Sequence, residues 1–249
     1  MGWFENKNMP DKNRDTDLKM PVGWKKNIFI VIPAYNEEKK ISFVIKDLKD
    51  HGYSNIVVVD DCSADNTYAA AKKENVSVLR HKVNRGQGAS LKTGIDFALL
   101  NNAKIIVTFD ADGQHCAEDI PDIVSPIIKK EADAALGSRF LGKRSNVPLL
   151  KKIFLKGGVL FTWFLSGLLL TDTHNGFRGF SRKAAKLIDI KQEKMEHASE
   201  IIDEIRKKRI KFKEVPVTIR YNRYSRQKGQ SVLNSFNIAF RMIIRKIMT

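Results

Sequence analysis

Three short runs, Ile28-Phe29-Ile30-Val31-Ile32, Ile56-Val57-Val58-Val59 and Ile105-Ile106-Val107-Thr108-Phe109, are apolar at nearly every position, and each stops at a polar set. A strand with one face in water alternates apolar and polar residues, whereas a run without alternation has to be buried on both faces. Helical periods lie between the runs. Ile41, Val44, Ile45 and Leu48 share one helix face, behind Asn36 as N-cap with Glu37 and Glu38 in the first turn. The pattern continues with a short helix over 65–74, a strand Val76–Leu79, a helix over 87–101, a helix over 118–130 and a strand Ala134–Leu136. Doubly buried strands alternating with helices require an α/β fold, a mostly parallel central sheet flanked by helices.

Such a sheet binds ligands at the carboxyl ends of its strands. Three strand ends carry polar sets: Pro33-Ala34-Tyr35-Asn36-Glu37, Asp60-Asp61-Cys62-Ser63 and Asp110-Ala111-Asp112. All three are expected at one edge of the sheet. Two carboxylates one residue apart at a strand end form a hard-oxygen site for Mg²⁺ or Mn²⁺, which keep several waters and bridge to substrate phosphates. Asp112 is the metal ligand, Asp110 reaches sugar, ribose or metal, and Gln114 and His115 lie close enough to add a ligand. Asp61, or Asp60 in its place, suits a nucleobase N–H or a ribose hydroxyl, while part of the Asp60–Thr67 cluster caps the next helix. Asn84-Arg85-Gly86-Gln87-Gly88 turns into a helix whose exposed amides favour an anion. It is neither a dinucleotide fingerprint, because Leu91 stands at the third glycine, nor a P-loop. Arg139 and Arg178 are of the type that holds diphosphate oxygens bidentately.

The chain has 44 Lys+Arg against 28 Asp+Glu, a formal charge of +16, which calls for a polyanionic partner. Thirteen Lys or Arg against the single acid Glu214 lie between Arg206 and the C-terminus. Residues 232–248 read as a basic amphipathic helix, with Val232, Phe236, Ala239, Phe240, Ile243, Ile244 and Ile247 at helical spacing. Residues 153–170 are apolar nearly all round, but the charge-free part spans about 22 Å as a helix, short of the roughly 30 Å of a hydrocarbon core. Residues 1–26 read as a flexible arm. Cys62 and Cys116 lack metal-ligand spacing, which points to a reduced, cytoplasmic compartment. No signal-peptide core follows Met1, and Asn6 occupies the Ser/Thr position of a myristoylation signal.

Five motifs together then carry a resemblance. Ile32-Pro33-Ala34-Tyr35-Asn36-Glu37, Val59-Asp60-Asp61-Cys62-Ser63-Ala64-Asp65-Asn66-Thr67, Asn84-Arg85-Gly86-Gln87-Gly88, Asp110-Ala111-Asp112-Gly113-Gln114-His115 and Gly137-Ser138-Arg139 stand in the order found in family 2 glycosyltransferases. The chain resembles the dolichol-phosphate mannosyltransferase-like, polyprenyl-phosphate branch over residues 27–225. The resemblance implies a GT-A fold, an inverting mechanism, a GDP- or UDP-sugar donor and a polyprenyl phosphate acceptor. It assigns Pro33, Ala34, Tyr35, Glu37, Asp60, Asp61, Gly86, Gly88, Asp110 and Ala111 to the nucleotide. Asp110, Asp112 and Gln114 surround Mg²⁺ or Mn²⁺, Arg139 faces the diphosphate or acceptor phosphate, and Arg178 lines the acceptor side. His197-Ala198-Ser199-Glu200-Ile201 resembles the family's substrate-side helix, which makes Glu200 a further candidate. The multi-helix membrane anchor that many relatives carry after this domain is missing, so attachment to the inner, anionic membrane face falls to residues 153–170, to the basic helix within 226–249, or to a separate integral membrane partner. A same-fold enzyme acting on a glycan or protein hydroxyl remains the alternative. No Gly-rich Gly-x-Gly-x-Arg loop supports a nucleotidyltransferase, and no reading module supports a nucleic-acid binder.

Overall fold

The computed structural model describes residues 20–141, 170–173, 175–194 and 196–220. The apolar segment 153–169, the basic helix within 226–249 and most of the N-terminal arm lie outside the described residues, as does His174. Seven strands form one sheet: β1 (Ile28–Ala34), β2 (Ile56–Asp60), β3 (Ser77–Arg80), β4 (Ile105–Thr108), β5 (Ala134–Ser138), β6 (Arg178–Ser181) and β7 (Phe212–Pro216). Their order is β3-β2-β1-β4-β6-β5-β7, and all neighbours are parallel except at β6, which runs against both β4 and β5. The expected mostly parallel α/β sheet is therefore present, widened by two strands that the apolar-run criterion does not detect.

The six α-helices among the described residues are α1 (Ile41–Asp50), α2 (Thr67–Lys73), α3 (Gln87–Leu100), α4 (Ile120–Ile128), α5 (Arg182–Leu187) and α6 (His197–Lys207). Strand side chains alternate between two cores. Ile30, Ile32, Val58 and Val107 join Ile41, Ile45 and Leu48 of α1 and Ile120, Ile123 and Val124 of α4. Val31, Val57, Val59 and Ile106 join Leu91 and Ile95 of α3, Ala184 of α5, and Ile201 and Ile205 of α6. Both faces are covered, which is why these runs lack polar alternation.

Two local expectations change. Asn36 is not an N-cap: it adopts a left-handed conformation (φ 54°), and α1 begins only after Lys40. Its side-chain oxygen is instead engaged by the Ala64 amide at 2.9 Å. Order also begins before Ile28. Trp24–Asn27 forms a 3₁₀ turn in which Trp24 packs edge-on to Tyr53 at 6.2 Å, with the Lys25 ammonium over both rings.

Pro33 occupies an inner strand, where a missing N–H would normally cost a ladder bond. Along β1 the backbone alternates sides: the Ile30 amide donates toward β2 (Asn55 O) and the Val31 carbonyl accepts from Phe109 on the β4 side. Pro33 thus faces β4, one step beyond the last registered pair, Val31 with Thr108. The ring sits where no ladder bond is due, at the mouth of the sheet.

Candidate active site

The carboxyl ends of β1, β2 and β4 are adjacent, so the three polar sets do meet at one edge. Reciprocal hydrogen bonds bind the loops after β1 and β2. The Asn36 amide donates to Ser63 Oγ at 2.9 Å, the Glu37 amide to Thr67 Oγ1 at 2.7 Å and the Glu38 amide to Asp65 Oδ2 at 3.2 Å. In return the Asn66 amide donates to Glu38 Oε2 at 3.0 Å. Ser, Thr and Asp are needed because each bonds backbone groups from a side chain short enough to stay rigid. This network leaves Tyr35 half exposed at the mouth while Pro33 and Ala34 are buried.

Asp61 organises the next loop. Its Oδ1 accepts from the Arg85 amide at 2.9 Å and from His81 Nδ1 at 2.7 Å, and its Oδ2 accepts from the Gly86 amide at 2.6 Å. The helix start that the sequence offers to an external anion therefore already holds one, the protein's own Asp61 carboxylate. His81, which donates to Asp61, is itself fixed by Thr93 Oγ1 at 3.0 Å. Asp60 is fully buried. Neither of its carboxylate oxygens has a hydrogen bond among the described residues, although Arg80 Nε lies 3.0 Å from Oδ2.

Gly86 and Gly88 are required for packing. A Cβ on Gly86 would lie 2.5 Å from the Glu193 carbonyl oxygen. One on Gly88 would lie 2.9 Å from His197 Cβ and closer still to the Gln192 carbonyl oxygen. A strap over 191–194 thus crosses the start of α3 at backbone distance, and the Ala89 amide donates to the Glu193 carbonyl at 3.2 Å. Glu200 holds the strap in place: its Oε2 accepts the Lys191 and Gln192 amides at 3.0 and 2.7 Å. The structure gives Glu200 this positioning role in the first turns of α6.

The carboxylates after β4 sit at the centre. Asp110 Oδ1 accepts from Gln87 Nε2 at 3.2 Å and Oδ2 from His115 Nε2 at 3.0 Å. The His115 ring is wedged between Phe109 and Phe177 and its Nδ1 is buried without a partner among the described residues. Gly176 lets this carboxylate lie against the backbone, since a Cβ there would be 2.8 Å from both Asp110 oxygens. Burial alone would raise the Asp110 carboxyl, but His115, with smaller help from His197 and Arg139, outweighs it and keeps Asp110 below the usual range. Asp112 goes the other way, raised by burial and by the Asp110 charge despite the hydrogen bonds from the Gln114 amide and side chain. Gln114 is thus tied to Asp112, while Ala111 is buried below the pair.

Two carboxylates at a buried strand end, one of them held against ionisation by burial and by the charge of the other, form a donor set that a divalent cation would relieve. Among the described residues no three His, Cys, Asp or Glu side chains converge as a complete cage. An incomplete protein shell suits a cation that takes its other ligands from water and phosphate.

Arg139 and Arg178 differ sharply. Arg139 is bound through Nε to buried Asp172 Oδ2 at 2.6 Å, with its own amide 3.1 Å from the same oxygen. Arg178 is buried and donates to three backbone carbonyls, Asn175 at 3.0 Å, Thr173 at 3.1 Å and Ala198 at 3.2 Å. Burial lowers its guanidinium to about 10, against the pull of Asp172 and Asp110. It clamps the loop before β6 to the start of α6, behind the mouth. His81, Asp172 and Gly176, which no sequence motif marks as functional, complete this architecture together with His197 at the start of α6. His81 directly follows β3, so the strand-end rule that found the carboxylates also applied to it.

His197 gives a pH-dependent expectation. Burial pushes its imidazole down to about 4, despite the bond from Nδ1 to the Lys194 carbonyl at 2.6 Å, and Arg178 adds to the drop. Unfolded, the ring titrates near 6.5. As pH falls below that value the unfolded chain takes up a proton that the folded chain refuses until about pH 4. Stability supplied above 6.5 is therefore lost on acidification, roughly 2 kcal/mol between pH 7 and pH 4.5. Urea unfolding at pH 7 and 4.5 should show the parent losing about that much more than His197→Asn; equal losses would refute the assignment.

The doubly covered α/β sheet with carboxylates gathered at its mouth is a GT-A-like fold, shared with solved glycosyltransferase structures. Residues 29–188 match Glycosyl transferase family 2, and the chain belongs to that family and is a glycosyltransferase. An uncharacterized protein of Methanocaldococcus jannaschii is 47% identical over 227 residues, covering 90% of this chain and 93% of its own. The UDP-N-acetylglucosamine–dolichyl-phosphate N-acetylglucosaminyltransferase of Methanococcus voltae is 36% identical over 243 residues, 89% of this chain and 97% of that one. The dolichol-phosphate mannosyltransferase of Pyrococcus furiosus is 29% identical, over 87% of this chain and 63% of its own. The glucosyl-3-phosphoglycerate synthase of Mycobacterium tuberculosis, solved with Mn²⁺ and UDP, shares the fold at a TM-score of 0.67 with 17% identity, over 89% of this chain and 78% of its own.

Proposed function

We propose that this glycosyltransferase moves a sugar from a UDP- or GDP-sugar to the phosphate of a polyprenyl lipid, with inversion, at an anionic membrane surface. The observation that carries this reading is the similarity, over nearly the whole of both chains, to a relative named for a dolichyl-phosphate acceptor. The site agrees with it. Asp172 and Glu200 each already accept hydrogen bonds from Arg139 or from strap amides, and Glu214 accepts from Thr171 and Asp172. A lipid phosphate arrives as an anion and needs no carboxylate base, whereas a hydroxyl acceptor would need one.

In this reading the half-exposed Tyr35 ring, with Pro33, Ala34 and Glu37, borders the base and ribose. Asp61 contributes by holding the 84–88 loop in place. Asp112 and Asp110 would hold Mg²⁺ or Mn²⁺, with Gln114 orienting Asp112. The cation would neutralise the leaving diphosphate, a Lewis-acid role. Arg139, aimed by Asp172, supplies positive charge for the diphosphate or the acceptor phosphate. Arg178 and Glu200 keep the acceptor side closed to rearrangement. Among the described residues no helix is long and apolar enough to cross a membrane. Membrane attachment in this reading rests on the apolar segment 153–170 and the basic C-terminal helix, or on an integral membrane partner.

A panel of UDP- and GDP-sugars with a short polyprenyl phosphate, with and without EDTA, tests the proposal. UDP-N-acetylglucosamine is the first donor to try. Sugar transfer to the lipid phosphate that stops with EDTA is expected. Transfer only to a glycan or protein hydroxyl would overturn the acceptor assignment.

A further inference from the structure

The opposite pole of the sheet, where β4, β5 and β7 begin and antiparallel β6 ends, carries a cavity of about 480 Å³. Five cations line it, Lys104, Lys130, Arg182, Lys183 and Lys211, against one acid, Asp133. They come from separate segments: Lys104 precedes β4, Lys130 follows α4, Arg182 and Lys183 open α5 and Lys211 precedes β7.

Arg182 is set like a fork. Its Nη1 donates to the Leu99 and Ala103 carbonyls, both at 3.0 Å, which fixes the guanidinium plane. Its Nε and Nη2 have no hydrogen bond among the described residues. The ammonium groups of Lys104, Lys130 and Lys211 likewise make no hydrogen bond and no ion pair within 4.0 Å among the described residues, although their backbones are bonded. Asp133 is already occupied, accepting from Ser181 Oγ at 3.0 Å, with Lys183 Nζ 3.7 Å away.

We propose that this cavity is a second anion site, built around Arg182 and its lysines, for a phosphate or diphosphate group. A fixed guanidinium with two donors in one plane matches two phosphate oxygens, and the surrounding ammonium groups supply the remaining charge. It is distinct from the donor site. The seven residues of β1 alone separate the poles by roughly 23 Å at about 3.3 Å per residue. The proposal does not depend on which sugar or acceptor the enzyme uses.

Calorimetric titration of the full chain with inorganic pyrophosphate, in EDTA, tests it. Saturable binding is expected. The double variant Lys104→Gln/Lys211→Gln should weaken it at least tenfold, while Asp112→Asn at the mouth leaves it unchanged within about twofold. Arg182→Gln should weaken it as well, and if that variant misfolds because the Leu99 and Ala103 carbonyls lose their donor, the lysine pair decides alone. A second arm distinguishes the source of the phosphate. Binding to phosphatidylglycerol vesicles but not to pyrophosphate, lost in the lysine double variant, assigns a lipid headgroup. Binding to neither probe, or equal affinity in parent and double variant, overturns the proposal.

Discussion

Asp112→Ala is expected to reduce sugar transfer at least about 10³-fold, with the unfolding midpoint close to that of the parent. Losing one preorganised charge-stabilising group at a leaving diphosphate commonly costs 10²–10³ in rate, and a residue that also holds the cation should cost no less. Stability should be nearly untouched because Asp112 is held in a strained state. Burial and the Asp110 charge already raise its carboxyl, so removing it relieves repulsion as it gives up the Gln114 hydrogen bonds. Asp110→Ala should be worse for the fold, since it strands His115, whose Nδ1 is already buried without a partner among the described residues. Transfer assays over a Mn²⁺ titration, paired with thermal unfolding, check this. Near-parental turnover of Asp112→Ala at saturating Mn²⁺ would remove Asp112 from the metal assignment.

The first half of the sheet was legible because β1, β2 and β4 are buried on both faces and cannot hide as alternating sequence. Strands β6 and β7 escape that criterion for separate reasons. β6 reads Arg178-Gly179-Phe180-Ser181: Arg178 is buried because three carbonyls satisfy it, and Gly179 is small because Ile123 of α4 lies 2.8 Å from where its Cβ would be. β7 lies at the sheet edge, with Lys213 exposed and Glu214 half-buried against Thr171 and Asp172, so its sequence shows no apolar run. In the site, residue type and place were legible but not engagement. Asp61 at a strand end reads as a ligand contact, yet its carboxylate is filled by amides 24 and 25 positions later. Long-range bonds of this kind leave no periodicity. Glu200 and Arg178 are named from the sequence, but their partners are not legible there, since only the folded chain brings the strap to one and the loop before β6 to the other.

Gly88→Ala should cost about 3 kcal/mol of stability, the upper end of the usual overpacking range. Overpacking against a side chain can relax by rotamer changes, but here the obstacle is the Gln192 backbone carbonyl, with His197 Cβ on the other side. The carbonyl cannot simply retreat. Glu200 holds the Gln192 amide at 2.7 Å and the Glu193 carbonyl accepts from Ala89 one residue along α3. Either the fold absorbs the strain or the strap lifts from the start of α3, next to Gln87, which donates to Asp110. The two outcomes separate experimentally. A strap that stays shut gives a lower unfolding midpoint with the donor KM preserved; a strap that lifts also raises the donor KM. Hydrogen exchange at Lys191 and Gln192 identifies the second case directly. An unchanged midpoint together with unchanged exchange would mean that the strap does not cross α3 at backbone distance, and the positioning role assigned to Glu200 would fall with it.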